Sequence, residues 1–187
     1  DADMEKSDHV DWFLNTCERR YTKIRSTVKW DDRHYLRVSS QDNFYDRISE
    51  LIRKGLKVVI MSNTKTEIKK WHARLEEDFP DKKGLAIYNE KDHTYKNLLI
   101  NGEIRAFDPD RDTKDLNWFA YSPSIAPGIS IDQVPFDVLC AHASCSEYTA
   151  GVRYWNQMLY RVRKLSKKLV LYQIQGACSQ LPTAIDQ

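Results

Sequence analysis

Three segments of the chain combine residue types whose chemistry is directed at phosphates. The first is Trp155-Asn156-Gln157-Met158-Leu159-Tyr160-Arg161-Val162-Arg163-Lys164. A helix at about 100° per residue puts Val152, Trp155, Leu159 and Val162 on one face and Gln157, Arg161 and Lys164 on the opposite one. A glutamine followed four residues later by an arginine, turned away from the core, can meet a nucleotide held by another domain. Arginine suits that task because its fork and permanent charge stabilise a transferring γ-phosphate. An ideal helix would turn Arg163 away from Arg161, so Arg163 can join it only if the helix ends or loosens there. The second segment, Phe119 to Ser130, runs from a strand into hydroxyls, two prolines and a glycine. Ser122, Ser124 and Ser130 can hydrogen-bond phosphate oxygens, and Gly128 lets a backbone or ligand come close. The third, Val58-Val59-Ile60-Met61-Ser62-Asn63-Thr64-Lys65, places small polar residues between a strand end and a helix start, where an anion site and an N-cap look alike. Each segment also has a plainer explanation: a solvated surface helix, an ordinary strand-to-helix loop, and capping alone.

The elements that must position these groups alternate between helical and strand patterns from Asn43 onward. Phe44, Ile48, Leu51 and Ile52 mark an amphipathic helix opened by Asp42 and closed by Gly55. Lys57–Met61 is a short, β-branched apolar run, as expected of a strand buried on both faces. A helix is predicted from Thr66 to Phe79, then strands at Leu85–Tyr88, Trp118–Tyr121, Phe136–Ala143 and Lys168–Ile174. A short helix and a loop holding Asp108-Pro109-Asp110 are expected within 91–117, and a long helix from about Glu147 to Lys164. This alternation predicts an α/β fold with a three-layer parallel sheet. Ligands in such sheets sit beyond the carboxyl ends of the strands, at Ser62–Lys65, Ser122–Ser130 and Ser144–Glu147. Residues 1–40 lack a sheet period and read as a connecting extension, with one helix near Val10–Tyr21. Residues 41–175 form the domain, and 176–187 leave it.

The chain has 187 residues, with 29 Lys+Arg against 27 Asp+Glu, and 41% of its residues are hydrophobic. That balance fits a folded protein and excludes global disorder. No apolar run approaches the ~20 residues of a membrane helix, and an acidic N-terminus is unlike a signal peptide. Between Tyr148 and Ile185 stand six cations (Arg153, Arg161, Arg163, Lys164, Lys167, Lys168) and no acid. Such a cluster suits a polyanion, although a solvated basic helix face would look the same. The four cysteines show no CxxC spacing and are expected to be reduced thiols. Cys140, His142 and Cys145 offer three metal ligands, one short of a structural zinc site, so no metal is expected. Asp108, Asp110, Asp112 and Asp115 lack the glycine and closing glutamate of a calcium loop and read as a solvated acidic loop rather than a nuclease site.

Taken in order, the three blocks resemble the second RecA-like domain of superfamily 2 helicases, most of all the origin-binding-protein family of herpesviruses and related large DNA elements. The resemblance covers about residues 57–174. VVIMSNTK is similar to motif IV, YSPSIAPGISID followed by FDVL to motif V, and QMLYRVR to motif VI. Asp1-Ala2-Asp3-Met4 resembles the tail of motif III, so the chain is expected to be a piece starting where a first domain ends. Two positions depart from the pattern. Tyr160 stands where motif VI usually has glycine, and Lys164 where the broader superfamily has its second arginine; the origin-binding pattern puts that arginine at Arg163.

The resemblance implies the C-terminal half of an ATP-dependent DNA helicase or translocase acting in replication initiation. Arg161 and Arg163 would be arginine fingers, and Gln157 a nucleotide sensor. Gly128, Ser130 and Lys164 would line the cofactor cleft, while Ser62, Asn63, Thr64, Lys65, Ser122 and Ser124 would follow single-stranded or forked DNA. ATP and Mg²⁺ would be held mainly by the first RecA-like domain, since neither GxxxxGK[ST] nor a DExx box occurs in this sequence. This chain alone is therefore expected to be inactive. Its place would be intracellular, in the host nucleus or cytoplasm or at a viral replication site. A non-catalytic nucleic-acid-binding or scaffold domain with a degenerate RecA-like fold is the alternative.

Overall fold

All five residues of Val58–Ser62 (β2) are buried, as a β-branched run covered on both faces must be. The structure, a computed structural model, describes residues 33–88, 98–100, 103–105, 107–123, 130–145 and 152–176. They belong to a unit that begins at Asp32. β2 is flanked by Trp118–Tyr121 (β6) and Phe136–Ser144 (β7), and the sheet is completed by Gly84–Ile87 (β3), Leu165–Gln175 (β8) and His34–Arg37 (β1). The order is β1-β8-β7-β2-β6-β3, and every pairing is parallel.

Alternation along β2 divides the core in two. Val58 and Ile60 meet Gln41–Arg53 (α1) and Lys65–Asp78 (α2) through Phe44, Ile48, Ile52, Ile68, Trp71 and Leu75. Val59 and Met61 point the other way, to a cluster with Ile131, Phe136, Met158, Leu159 and Val162. Helices therefore cover both faces, α1 and α2 on one and Val152–Leu159 (α4) on the other. The chain has an α/β RecA-like fold of three layers.

Several local expectations need correction. Ser40, not Asp42, caps α1, its side chain accepting from the Asn43 amide while Asp42 sits in the first turn. Gly55 does close α1, at φ +76°. Its amide reaches the Ile52 carbonyl and the Leu56 amide reaches Leu51, a Schellman closure. Residues 34–37, expected to lie in the connecting extension, form an edge strand on β8. Leu98–Ile100 (β4) and Glu103–Arg105 (β5) make a separate antiparallel pair that the sequence pattern did not reveal.

The acidic run is a solvated loop only in part, since Asp108 and Asp115 are exposed but Asp110 and Asp112 are engaged. Asp108 caps Pro109–Asp112 (α3), Asp112 is buried and accepts from the Asp108 amide, and one Asp110 oxygen accepts from the amides of Asp132, Gln133 and Val134. The helix near Val10–Tyr21, Ser124, Gly128 and residues 177–187 lie outside the described residues.

Candidate functional site

The long helix expected to run to Lys164 stops at Leu159. Arg161, Arg163 and Lys164 are therefore not on the helix that carries Gln157, and the shared polar face predicted for Gln157, Arg161 and Lys164 does not form. The sequence alone has no glycine or proline to end a helix here; the stop is made by tertiary donors. Tyr121 donates its hydroxyl to the Met158 carbonyl (2.7 Å), and Arg33 donates to the carbonyls of Leu159 (2.8 Å) and Val162 (2.7 Å). Carbonyls that a longer helix would bond internally are thus answered from β6 and from the start of the unit.

Beyond Leu159 the helix gives way to a short stretch of extended pairing. Val162 forms a parallel bridge with Ile131: the Ile131 amide donates to the Arg161 carbonyl (2.7 Å) and the Arg163 amide to the Ile131 carbonyl (2.9 Å). Val162 is fully buried. In extended backbone, neighbours one residue either side of a buried residue point away from it together. The loosening of the helix thus meets the condition under which Arg163 can join Arg161. Arg161 is half-buried and Arg163 exposed, with Arg163 Nε 3.6 Å from Asp132 Oδ1. Lys164 is exposed, and its Nζ reaches Gln133 Oε1 at 3.4 Å.

These groups sit where β7 and β8 begin. Ser62, Asn63, Thr64, Lys65 and Ser122 do sit at the carboxyl ends, where β2 and β6 finish. There the buried Ser62 hydroxyl lies 2.9 Å from His142 Nδ1 and accepts from the Thr64 amide (3.1 Å). The Asn63 side chain clamps β7, donating to the Ser144 carbonyl (2.9 Å) and accepting from the Ser144 amide (2.8 Å). Both side chains hold the loop together, leaving Lys65 exposed and Thr64 half-buried with its hydroxyl 3.2 Å from Ser62 Oγ. Thr64 is the N-cap of α2, yet its side chain makes no capping hydrogen bond. Ser122 is buried, its amide bonded to Ile87, and Ser130 is partly exposed just before the bridge.

One comparison with known proteins finds relatives. Over 152 residues the chain is 24% identical to the "Putative helicase/primase complex protein" of African swine fever virus isolate Warthog/Namibia, covering 81% of this chain and 14% of the relative. The same protein of isolate Tick/Malawi is 24% identical over 156 residues, 83% of this chain and 13% of the relative. The chain is similar to viral helicase/primase complex proteins. It spans about one seventh of their length. No family model and no solved structure matches it. Among the described residues, no helix is long and apolar enough to cross a membrane.

The sequence reading missed Arg33 and gave His142 only a weighing as a metal ligand. His142 is fully buried beside Ser62, with the Trp71 ring edge-on at 5.1 Å, and burial pushes its pKa down to about 4, helped by the Lys70 charge and opposed by a Gln175 hydrogen bond. Cys140, two residues earlier on the same face, is also buried, which raises its thiol pKa. A histidine whose folded pKa lies below its ordinary value of 6.5 favours the neutral form. Its contribution is therefore complete above pH 6.5 and is lost as pH falls through 4. The unit should lose up to roughly 3 kcal/mol across that window through this group. Urea melts at several pH values, compared with His142→Gln, will show it; an unchanged slope in the variant sinks the assignment.

Proposed function

We propose that this chain is the C-terminal RecA-like half of an ATP-dependent DNA helicase or translocase that acts in viral-type DNA replication. The observation that carries the proposal is the Ile131–Val162 bridge. It presents Arg161 and Arg163 from one rigid stretch where β7 and β8 begin, while Thr64 and Lys65 stand at the opposite end of the sheet. A motor needs two such ends, one for nucleotide and one for strand. The names of the viral relatives agree with this reading.

In the assembled motor, ATP with Mg²⁺ would occupy a cleft between a first RecA-like domain and the arginine end of this one. The cationic donor set there fits a triphosphate. Arg161 and Arg163 would neutralise charge that develops on the γ-phosphate, with Gln157 reporting its presence and Lys164, Ser130 and Gly128 lining the near wall. The α2 N-terminus, with Thr64 and Lys65, would grip a backbone phosphate of single-stranded DNA through amide dipoles and charge. The Ser122–Ser130 segment runs in sequence from the strand end to the bridge and would link the two grips, Ser122 and Ser124 on the DNA side. Ser62 and Asn63 would act through the loop they brace. Phosphate contacts carry no base sequence, so origin choice would lie elsewhere.

Fluorescence anisotropy of this chain with labelled single-stranded DNA at two salt concentrations tests the strand half. Binding should be weak and should fall steeply with salt. Lys65→Ala should reduce the log–log salt slope by about 0.7, the value for removing a single phosphate interaction, and Thr64→Ala should weaken binding without changing that slope. A folded chain that does not bind at low salt would favour the scaffold alternative.

A further inference from the structure

Arg33 makes a clamp that the proposed function does not yet use. It lies two residues into the unit that begins at Asp32, is only 8% exposed, and bonds the carbonyls of Leu159 and Val162 with its two terminal nitrogens. Its guanidinium also lies over the Tyr160 ring, 5.1 Å from the centroid. The two carbonyls flank Tyr160 and Arg161, so one planar fork spans the turn between α4 and the bridge. The carbonyl end of α4 is the negative end of its dipole, which favours a cation there. Only arginine can reach two carbonyls in this way; lysine offers a single nitrogen. Tyr160 replaces the glycine usual at this place in the resembled motif and supplies the ring on which the guanidinium rests.

We propose that Arg33 is the positioning residue for Arg161 and Arg163, so that the chain entering this unit sets where the two arginines stand. The proposal rests on the reading of Arg161 and Arg163 as nucleotide-facing groups. The turn is held at its other side by Ile131 and Tyr121. Without the fork, the Leu159 and Val162 carbonyls lose their charged donors, and the backbone from Tyr160 to Arg163 keeps the Ile131 pairing and the bond from the Arg161 amide to the Met158 carbonyl but loses the brace that spans the turn. A displacement of the entering segment moves Arg33 first, and through it the arginine loop. Nucleotide turnover would thereby respond to the connection that joins the two halves of the motor.

Hydrogen exchange of this chain, read at the amides of Ile131, Arg161 and Arg163, tests the clamp without any nucleotide. Arg33→Lys should speed their exchange by about tenfold, in line with the loss of hydrogen bonds from a charged donor, and leave β2 and β7 unchanged. If Arg33→Lys does not fold, Tyr160→Ala removes the supporting ring at an exposed position, and the same amides should speed up by a smaller factor. Unchanged exchange in the folded variant overturns the clamp. In the full-length motor, Arg33→Lys should lower kcat while KM for ATP stays put, because binding resides in the other half. Faster exchange with unaltered kcat, in a protein where Arg161→Ala does slow turnover, overturns the positioning role. If Arg161→Ala itself has no effect, the nucleotide-facing reading has failed, and the regulatory part of the proposal falls with it.

Discussion

Arg161→Ala should lower ATP turnover by the full-length motor by about 10³-fold, the lower end of what an arginine finger contributes and about 4 kcal/mol of transition-state stabilisation. The size of the effect follows from how firmly the residue is held. Its amide donates to the Met158 carbonyl (3.1 Å), its carbonyl accepts from Ile131, and the next side chain, Val162, is fully buried. A guanidinium carried on such a backbone costs little reorganisation when charge develops beside it. Arg163 should matter less, because its guanidinium is already shared with Asp132; Arg163→Ala should cost about tenfold to a hundredfold. Arg161→Lys keeps the charge but loses the fork and should fall between wild type and alanine. Steady-state hydrolysis with thermal melts of each variant checks this. Unchanged turnover in a folded Arg161→Ala protein removes the finger assignment.

The central strands were legible because burial on both faces leaves a local signature: four consecutive apolar residues in β2 and the WFAY of β6 could be little else. Helix α1 was legible for a similar reason, with its apolar period and Gly55 closing it. β1 was not, because all four of its residues are exposed at the sheet edge and its pairing is with residues more than 130 positions later. The end of α4 was hidden for the same physical reason. Residues 160–164 are compatible with helix, and what stops it comes from Arg33, Tyr121 and Ile131. The carboxyl-end loop taught the converse lesson: Ser62 and Asn63 look like phosphate ligands in sequence, but the register of β2 on β7 sets them opposite His142 and Ser144, which engage them.

The two ends of the sheet are thus organised on opposite principles. At the carboxyl end, neutral buried side chains brace a loop that leads through the half-buried Thr64 to the exposed Lys65. At the amino end, the cations Arg161, Arg163 and Lys164 stand on a stretch that backbone pairing braces. The same α4 takes part in both, since Trp155 Nε1 donates to the His142 carbonyl (3.1 Å) and Tyr121 reaches Met158 near the other terminus. A rigid helix between the two is the physical means by which a change at one could reach the other.

Gly84→Ala should be the most destabilising single methyl that this fold can receive at a described glycine. Gly84 opens β3, paired in register with Trp118 of β6, and an added Cβ would fall inside the Trp118 indole. The indole is fully buried and cannot swing aside cheaply, because its Nε1 donates to His72 Nδ1 (3.2 Å). Either the edge strand β3 must move away from β6 or that hydrogen bond must break. Overpacking of this kind costs about 2–4 kcal/mol, which lowers Tm by roughly 5–12 °C in a unit of this size. Gly55→Ala makes the contrast: its φ of +76° is strained for alanine, but nothing lies within 4 Å, so only about 1 kcal/mol should be lost. A double-mutant cycle with Trp118→Phe isolates the contact. If the smaller ring relieves the clash, the pair will be less destabilised than the sum of the singles; additive losses would mean that β3 yields and the indole stays where it is.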